Sequence, residues 1–408
     1  MIVLDGLGDR PVLSQGYRTP LEAAVTPNMD RLSKGGLLGL IDPISPGVKP
    51  GSDVANMALL GYDPNRYYTG RGALEALGAG LVLHPGEIAF RCNFATVDHS
   101  MRVVDRRAGR IHRYTSRLSK ELNRMKLEST PDLKVEFKPT VEHRAVLVFR
   151  GSGLSRMVSD PDPKAHGLKV VQSKPLEKTH EAKKTAQALN EFVRTSHEKL
   201  KHHQVNKERI ERGEAPANIV LPRGPGTNPE LPSFKTKFNL RASCVTGTVL
   251  IKGICRATGV QVLHVRQATG GLRTDLGAKV KSVIDSFAQS DLVFLHIKGA
   301  DVASHDGDFK SKVRFLEEAD GAIGKIMDEV DIAENYILVT GDHSTPVEIR
   351  EHSGDPVPVA MGGPDVPSSR VTKFCEAAAS RGNLGRLRGL DLMPIVTDFI
   401  GRSSKFGN

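Results

Sequence analysis

Tryptophan is absent from the 408-residue sequence, and aromatic residues make up only 5% of it. Proteins that bind single-stranded nucleic acid stack the bases on aromatic side chains that line a basic groove. No interleaved series of aromatic and basic residues stands out in this sequence, so we expect no nucleic acid partner. The net charge of +10 does not by itself change that expectation, because the location of charge matters more than its sum.

Cysteine is scarce as well, with four residues that lie far apart and form no C-x-x-C motif. This spacing fits neither a zinc ribbon nor a disulfide framework. We expect Cys92, Cys244, Cys255 and Cys375 to be reduced and structural.

Long apolar runs are also missing, since none approaches the ~20 residues that span a bilayer. The sequence opens "MIVLDGLGD", without a basic n-region or a cleavage site of small residues. We therefore expect a cytoplasmic protein that does not insert into membranes.

The positive charge is concentrated between Lys164 and Arg212, a segment that contains twelve Lys and Arg residues but only six Glu and no Asp. The same segment has apolar residues at helical spacing, namely Ala186, Leu189, Phe192 and Val193. Mixed charge on one side of an amphipathic helix is common, so a solvated helix face is favoured. A small anionic substrate would also benefit from the positive field.

The length predicts two domains. Near both ends of the chain, predicted apolar strands alternate with predicted helices. One of these helices is in "TPNMDRLSKGG", where Thr26 and Pro27 predict its start and the glycines its end. This alternation predicts an α/β domain, a mostly parallel sheet with helices on both faces, over 1–83 and 266–408. Short alternating runs predict an inserted α+β domain over 84–265, in which "LPRGPGTNPELPSF" has the composition of a loop or linker.

Acidic and histidine side chains follow several of the predicted strands. The carboxyl ends of parallel strands meet at one edge of a sheet, where ligands collect. The residues at these positions are Asp5, Asp301, His305, Asp342, His343 and His352.

Each of these residues alone has an ordinary structural explanation, because Asp caps turns and loop histidines are common. Carboxylates gathered at one edge, however, would repel each other unless positive charge lay among them. We therefore predict two divalent metal ions. Carboxylate and imidazole ligands suit Mn, Mg, Co or Zn, and the sequence does not choose among these.

Ser52, in "KPGSDVANMALL", precedes an apolar run at helical spacing and is typical of a helix cap. A metal ion lowers the pKa of a bound hydroxyl, so a serine beside the predicted ions can also act as a nucleophile. In phosphoryl transfer, the positive end of a helix would favour both the alkoxide and the phosphate.

Seven segments together resemble the archaeal-type 2,3-bisphosphoglycerate-independent phosphoglycerate mutases of the alkaline phosphatase superfamily. These are "LDGLGDRP", "TPLEAAVTPNMDRLSKGG", "GSDVANMALLGYDP", "YTGRGALEALGAG", "VDRRAGRI", "HIKGADVASHDGD" and "TGDHSTPVEIREHSGDPVP". The resemblance covers nearly the whole chain and implies an alkaline phosphatase-like fold. The implied activity is the interconversion of 2-phosphoglycerate and 3-phosphoglycerate, in glycolysis and gluconeogenesis, through a phosphoserine intermediate.

The resemblance also assigns ligands and a phosphate carrier. Ser52 would carry the phosphate. One ion would be held by Asp5, Ser52, Asp342 and His343, and the other by Asp301, His305 and His352.

The inserted domain would hold the glycerate, whose carboxylate and phosphate suit bidentate arginines. Arg107 and Arg110 are the first candidates. The others are Arg91, Arg106, His143 and Arg144.

Two alternative functions remain open from the sequence. A metal-dependent phosphatase or small-alcohol phosphotransferase could use the same scaffold, because a fold and a metal site do not define the acceptor. A nucleic-acid-binding protein with a vestigial metal site is less favoured, because the sequence has few aromatic residues on which bases could stack. The sequence does not predict an oligomeric state.

Overall fold

The computed structural model describes residues 1–403, 405 and 407. The chain divides into unit 1, Met1–Tyr68 with Leu231–Asn408, and unit 2, Thr69–Glu230. The described strands are β1 Ile2–Leu4, β2 Leu37–Asp42, β3 Ile88–Val97, β4 Val103–Asp105, β5 Lys134–Pro139, β6 Arg144–Arg150, β7 Ile219–Thr227, β8 Ala242–Val245, β9 Gln261–Val262, β10 Leu292–Ile297, β11 Ile337–Gly341, β12 Val357–Gly362 and β13 Gly385–Arg388. The described α-helices are α1 Pro20–Ala23, α2 Pro27–Lys34, α3 Ser52–Leu59, α4 Pro64–Tyr67, α5 Arg71–Gly78, α6 Thr115–Asn123, α7 His180–Leu200, α8 Gln204–Glu211, α9 Phe234–Phe238, α10 Val249–Ala257, α11 Leu276–Ser286, α12 Gly299–Asp306, α13 Phe309–Glu329, α14 Glu376–Ala379 and α15 Gly389–Phe399.

Unit 1 is built on an eight-stranded sheet in the order β13-β2-β12-β11-β1-β10-β8-β9. Only β12 runs against its two neighbours, and the other pairings are parallel. The structure therefore confirms the predicted α/β fold with a mostly parallel sheet. The predicted helix after Thr26 is also confirmed as α2, which begins at Pro27 and ends before Gly35.

The first strand is only three residues long but is central in this sheet. All three residues of β1 are buried, and β10 and β11 pair with it on opposite sides. Leu4 is in register with Ile297 and Gly341, so the last residues of three strands lie side by side. The residues that follow them are consequently brought together.

Unit 2 contains a five-stranded antiparallel sheet in which β3 pairs with β4, β6 and β7. Helices α5, α6 and α7 pack against it. The predicted apolar side of the basic helix is confirmed, because Ala186, Leu189, Phe192 and Val193 of α7 are buried. Phe192 packs against Phe149 with ring centroids 6.2 Å apart.

The boundaries of the insert differ from the predicted 84–265. Residues 69–83 belong to unit 2, because α5 packs on β3, and residues 231–265 belong to unit 1. Strand β8 pairs in parallel with β10 and leads into α10, so this stretch is a β-α unit of the large sheet. A four-residue strand is too short for its apolar pattern to show which sheet it joins.

The interpretation of "LPRGPGTNPELPSF" as a linker was wrong for its first half. Residues 221–227 are the end of β7, and Pro222 is paired with Cys92 of β3. Within the described residues β7 pairs only with β3, and an edge position tolerates proline because one side of the strand needs no backbone donor.

Among the described helices, none combines the length and apolarity that crossing a bilayer requires.

Candidate metal centre

The carboxyl ends of β1, β10 and β11 place three aspartates at one edge of the large sheet. Asp5 directly follows β1, Asp342 directly follows β11, and Asp301 lies in the first turn of α12, after β10. All three are at most 2% exposed. The clustering that the strand-end pattern predicted is therefore present.

The first ligand group contains Asp5, Asp342 and His343, whose candidate ligand atoms lie within 4.8 Å of one another. The Nε2 atom of His343 is 3.4 Å from Oδ1 of Asp5 and 3.5 Å from Oδ1 of Asp342. The Oγ atom of Ser52 lies 3.1 Å from the same Nε2. The structure thus brings the serine to the group with which it was predicted to act.

The second ligand group contains Asp301, His305 and His352. Oδ1 of Asp301 is 3.3 Å from Nε2 of His305 and 3.6 Å from Nε2 of His352. The rings of His343 and His352 stack with centroids 3.7 Å apart, so the two groups are neighbours.

Hydrogen bonds fix which nitrogen of each histidine faces the site. The Nδ1 atoms of His305 and His352 each lie 2.8 Å from a backbone carbonyl, of Arg350 and Pro50 respectively. A carbonyl can only accept, so each Nδ1 carries a proton and donates it. In the neutral form of each ring the lone pair is therefore on Nε2, toward Asp301, as a metal-binding histidine requires. Asp301 raises the pKa of His305 to about 9, so a metal ion would replace a proton on that nitrogen.

The same argument applies to His343 through a hydroxyl. Thr345 Oγ1 donates to Oδ1 of Asp301 at 3.1 Å and lies 3.0 Å from Nδ1 of His343. Since the hydroxyl proton is committed to Asp301, Nδ1 of His343 is the donor. Burial lowers the pKa of His343 to about 3, which keeps the ring neutral. Its Nε2 lone pair therefore faces Ser52 and Asp5.

The charges at this edge are incompletely balanced by the protein. Burial raises the pKa of Asp5, but the Lys298 ammonium, 2.9 Å away, and His296 together outweigh burial and lower that pKa to about 2. Lys298 also lies 2.6 Å from Asp301. Burial and the Asp5 charge raise the pKa of Asp342 well above its usual range. The Asp301 carboxylate raises the pKa of the neighbouring His305 to about 9, so Lys298 and His305 are the cations beside these carboxylates. The raised pKa of Asp342 indicates that its charge is not balanced by these groups.

The donor set fits divalent cations. Oδ1 of Asp5 is buried without a hydrogen-bond partner among the described residues. Buried charged oxygens are ordinarily paired or coordinate metals. Three carboxylates and three correctly oriented imidazoles are ligands that Mn, Mg, Co and Zn accept.

Ser52 is not the helix cap that its sequence context predicted. The N-cap of α3 is Gly51, and Ser52 is the first helical residue, with no side-chain capping bond at this end. Proline and glycine before the serine move the helix start by one position. The hydroxyl is thereby directed to His343 rather than to a backbone N–H of its own helix.

Sequence reasoning missed four residues that support the two groups. Lys298 and His296 come from the β10 segment, and Nε2 of His296 is 3.2 Å from Asp5. Asn56, one turn after Ser52, donates to Oδ2 of Asp342 and to the Ser52 carbonyl, each at 2.8 Å. Thr345 is the fourth. Each lies within five residues of a predicted site residue, which is the only signal that could have indicated it.

Unit 2 contains a separate cluster of arginines around one buried glutamate. Nε of Arg71 is 2.8 Å and Nε of Arg91 is 3.8 Å from Oε1 of Glu75. Burial and the neighbouring Arg71 lower the pKa of Arg91 to about 9. The pKa of Arg223 is also lowered, first by burial. Arg223 also lies 3.5 Å from the Asp162 carboxylate, so these guanidinium groups lie among two buried carboxylates. The cluster is a candidate site for an anion.

The predicted substrate-binding residues occupy different places in unit 2. Arg91 belongs to this cluster, and Arg106 forms a bidentate pair with Asp162, at 3.1 and 2.6 Å. His143 is buried, and its Nδ1 has no hydrogen-bond partner among the described residues. The remaining three, Arg107, Arg110 and Arg144, are exposed.

Arg71 and Arg223 were not predicted. Arg71 is the first residue of α5. Arg223 lies in β7, in a stretch whose glycines and prolines had predicted a loop or linker.

Known proteins resemble this chain over its full length. A family model described as 2,3-bisphosphoglycerate-independent phosphoglycerate mutase matches residues 33–206. The 2,3-bisphosphoglycerate-independent phosphoglycerate mutase 1 of Methanothermobacter thermautotrophicus is 50% identical, over 100% of this chain and 99% of that protein. The corresponding protein of Methanocaldococcus jannaschii is 44% identical, over 100% and 98%.

Two solved structures are also similar. The PH0037 protein from Pyrococcus horikoshii has a TM-score of 0.85 and 38% identity, over 100% of this chain and 98% of that one. The cofactor-independent phosphoglycerate mutase from Thermoplasma acidophilum has a TM-score of 0.68 and 35% identity, over 98% of both chains.

Fold and relatives together define an enzyme of the isomerase class. The chain belongs to the family of 2,3-bisphosphoglycerate-independent phosphoglycerate mutases. The resemblance that the seven sequence segments carried is thereby confirmed.

Proposed function

We propose that this protein interconverts 2-phosphoglycerate and 3-phosphoglycerate and that Ser52 carries the phosphoryl group between the two hydroxyls. The observation that supports this most directly is the 3.1 Å distance between Oγ of Ser52 and Nε2 of His343. That nitrogen has a lone pair, because Thr345 fixes the opposite proton on Nδ1. The Ser52 hydroxyl therefore donates to this lone pair, and an ion held by Nε2 would lie beside the same oxygen and make it easier to ionise.

Two divalent ions are part of the proposal, chosen from Mn, Mg, Co and Zn. Asp5, Ser52, Asp342 and His343 would hold one ion, and Asp301, His305 and His352 the other. When bound, such ions lower the pKa of a hydroxyl and neutralise charge on a transferred phosphoryl group.

The chain itself supplies the alignment. Ser52 is the first residue of α3, so the unpaired backbone N–H groups of that turn face a phosphate attached to Oγ. Burial lowers the pKa of Lys298, but the carboxylates of Asp5 and Asp301 outweigh that effect and keep the amine protonated. Its ammonium can donate to a phosphoryl oxygen. Asn56, in α3, donates a hydrogen bond to Asp342 and so holds this carboxylate next to the helix that carries Ser52.

The reaction balances without an external reactant. Ser52 Oγ loses its proton and bonds to phosphorus, while the bond from phosphorus to the substrate oxygen breaks and that oxygen gains a proton. The glycerate then presents its other hydroxyl, which loses a proton and takes the phosphoryl group, and Ser52 regains its hydroxyl. Water must not replace the glycerate in the second half, since that would release phosphate.

The arginines of unit 2 would bind the anionic groups of the glycerate. Arg71 and Arg91, which lie beside the buried Glu75, and Arg223, which lies 3.5 Å from the buried Asp162, are the best placed. Guanidinium groups bind carboxylate and phosphate in a bidentate manner. Of the residues predicted from sequence, Arg106, His143 and Arg144 remain candidates beside this cluster. Arg107 and Arg110 remain predictions as well.

The test supplies purified protein and Mn²⁺ with 3-phosphoglycerate and follows both isomers and inorganic phosphate by ³¹P NMR. We expect 2-phosphoglycerate to form and free phosphate to stay negligible. Ser52→Ala should lower turnover by roughly 10⁴-fold while folding is kept. Ser33→Ala is the matched control, because Ser33 is a buried serine that donates to the Met29 carbonyl in α2. Phosphate release without isomerisation would instead make the protein a phosphatase.

A further inference from the structure

A cavity of about 640 Å³ opens on unit 1, away from the two ligand groups. It lies between the turn before α1 and the segment that leads into α14. Its lining residues are Tyr17, Arg18, Glu22, Arg370, Val371, Thr372, Lys373, Cys375, Ala377, Ala378 and Arg381. None of the candidate metal ligands is among them.

Four cationic side chains line this cavity, namely Arg18, Arg370, Lys373 and Arg381. Among the described residues, none of them has a carboxylate within ion-pairing distance. The side chain of Arg18 contacts only a backbone carbonyl, of Gln15, at 3.4 Å. The positive charge of the cavity is therefore not neutralised by ion pairs.

Some exposed arginines of the same unit have an acidic partner. Arg10 pairs with Asp355, Arg386 with Asp42 and Arg388 with Asp391, each through two nitrogen atoms. Exposed arginines such as Arg266, Arg273 and Arg314 also have no ion pair among the described residues, so the cavity is distinguished by having four unpaired cations on one concave surface.

The single carboxylate in the cavity wall is already engaged. Glu22 accepts a hydrogen bond from the backbone N–H of Thr19 at 3.0 Å, as half of the capping box that begins α1. It is held to its own helix end and is not placed to serve the four cations. A concave surface with this charge concentrates anions, since the walls exclude part of the screening solvent.

Tyr17 forms part of the rim. Its backbone is in the left-handed region, with φ of 58°, and its side chain is 70% exposed. This backbone conformation is unfavourable for residues with a bulky side chain. The surrounding turn therefore maintains an exposed ring at the mouth of a basic cavity.

We propose that this cavity is a second ligand site, which binds a small molecule carrying at least two phosphate groups. Arginine forks bind phosphate oxygens in pairs, and one monoanionic group would leave most of the four cations without a partner. The volume is in the range of ordinary small-molecule sites. The site is separate from the metal centre and does not depend on the role of Ser52.

Calorimetric titration of the Mn²⁺-loaded full-length protein with fructose 1,6-bisphosphate tests this proposal. Saturating 3-phosphoglycerate is present throughout, so that the catalytic site is occupied. Fructose 6-phosphate is titrated in parallel. The cavity variant is Arg370→Ala/Arg381→Ala, and the matched control is Lys310→Ala/Arg314→Ala, which removes two exposed cations from α13 that do not line the cavity.

The proposal predicts saturable binding of the bisphosphate, at least about tenfold tighter than that of the monophosphate. The cavity variant should bind the bisphosphate about tenfold more weakly or worse, while the control variant and the isomerase activity of both variants stay unchanged. Absence of binding, equal affinity for both sugars, or equal loss in the control variant would each overturn it.

Discussion

At the scale of single residues, Thr345 joins the two ligand groups. Its hydroxyl accepts from Nδ1 of His343 and donates to Oδ1 of Asp301, so one side chain orients a ligand of each proposed ion. Residues behind a metal ligand commonly fix its tautomer and contribute to affinity. Thr345 is fully buried and does not reach Ser52 itself, so it is a positioning residue.

Replacement of Thr345 with Val should lower metal affinity and kcat by about 10- to 100-fold, because both hydrogen bonds are lost while side-chain shape is kept. Isomerase rates measured against Mn²⁺ concentration check this prediction. Thr340→Val is the matched control, because Thr340 is also buried but donates to the Pro358 carbonyl. An unchanged Mn²⁺ dependence in Thr345→Val, or the same change in the control, would contradict the assigned role.

The residue scale also shows what one sequence can predict. Asp5, Asp342 and His343 were predictable because they follow apolar strands directly, and parallel strands end at one edge. Lys298 and Thr345 have no such signal. Lysine and threonine after a strand are common, and their importance comes from contacts with residues far away in the chain, such as Asp5 for Lys298.

At the scale of elements, α13 supports the metal centre through a buried ion pair. Nζ of Lys312 is 2.8 Å from Asp9 and also donates to the carbonyls of Gly8 and Thr345, at 3.1 and 3.2 Å. It therefore ties the loop after β1 and the loop after β11 to one helix. Lys312 is fully buried, so its charge depends on these contacts.

Lys312→Met should reduce the free energy of unfolding by about 3–5 kcal/mol, because the Asp9 carboxylate would remain buried without its partner. Urea denaturation followed by circular dichroism measures this. Lys310→Met, at an exposed position of the same helix, should stay within about 0.5 kcal/mol of the unchanged protein. A loss below about 1 kcal/mol for Lys312→Met would show that the pair does not support the fold.

Elements were predictable where their patterns were long. Strand β10 and helix α13 have extended apolar patterns, and both lie in the part of the chain where alternating strands and helices were predicted. Strand β7 was missed because its glycines and prolines indicate a loop, and only the pairing with β3 makes it a strand. Strand β8 lies within the predicted insert but belongs to the large sheet, since four residues do not indicate which sheet they join.

At the scale of the whole molecule, the metal centre is assembled from both ends of the chain. Asp5 and Ser52 come from the first segment of unit 1, and Asp301, Asp342 and His352 from the second, with unit 2 inserted between them in sequence. The chain must therefore close a long loop before the site exists. Because the ligands come from both segments of unit 1, neither segment alone predicted the metal centre as clearly as the two together.

Removal of the proposed ions should abolish isomerase activity. We expect the protein to lose turnover after treatment with EDTA and exchange into chelator-free buffer, and to recover it when Mn²⁺, Co²⁺ or Mg²⁺ is added. Elemental analysis of the same samples measures the metal content. Full turnover in a sample shown to contain no divalent metal would contradict the proposed role of the two ligand groups.

The central claim is that the phosphoryl group rests on Ser52 during the reaction. The most direct test is acid quenching of the Mn²⁺-loaded protein during turnover of 3-phosphoglycerate, followed by peptide mass spectrometry. The proposal predicts one added phosphoryl group on the peptide that contains Ser52 and none on the same peptide of Ser52→Ala. An active isomerase with no phosphoserine at Ser52, or with the group on another residue, would contradict it.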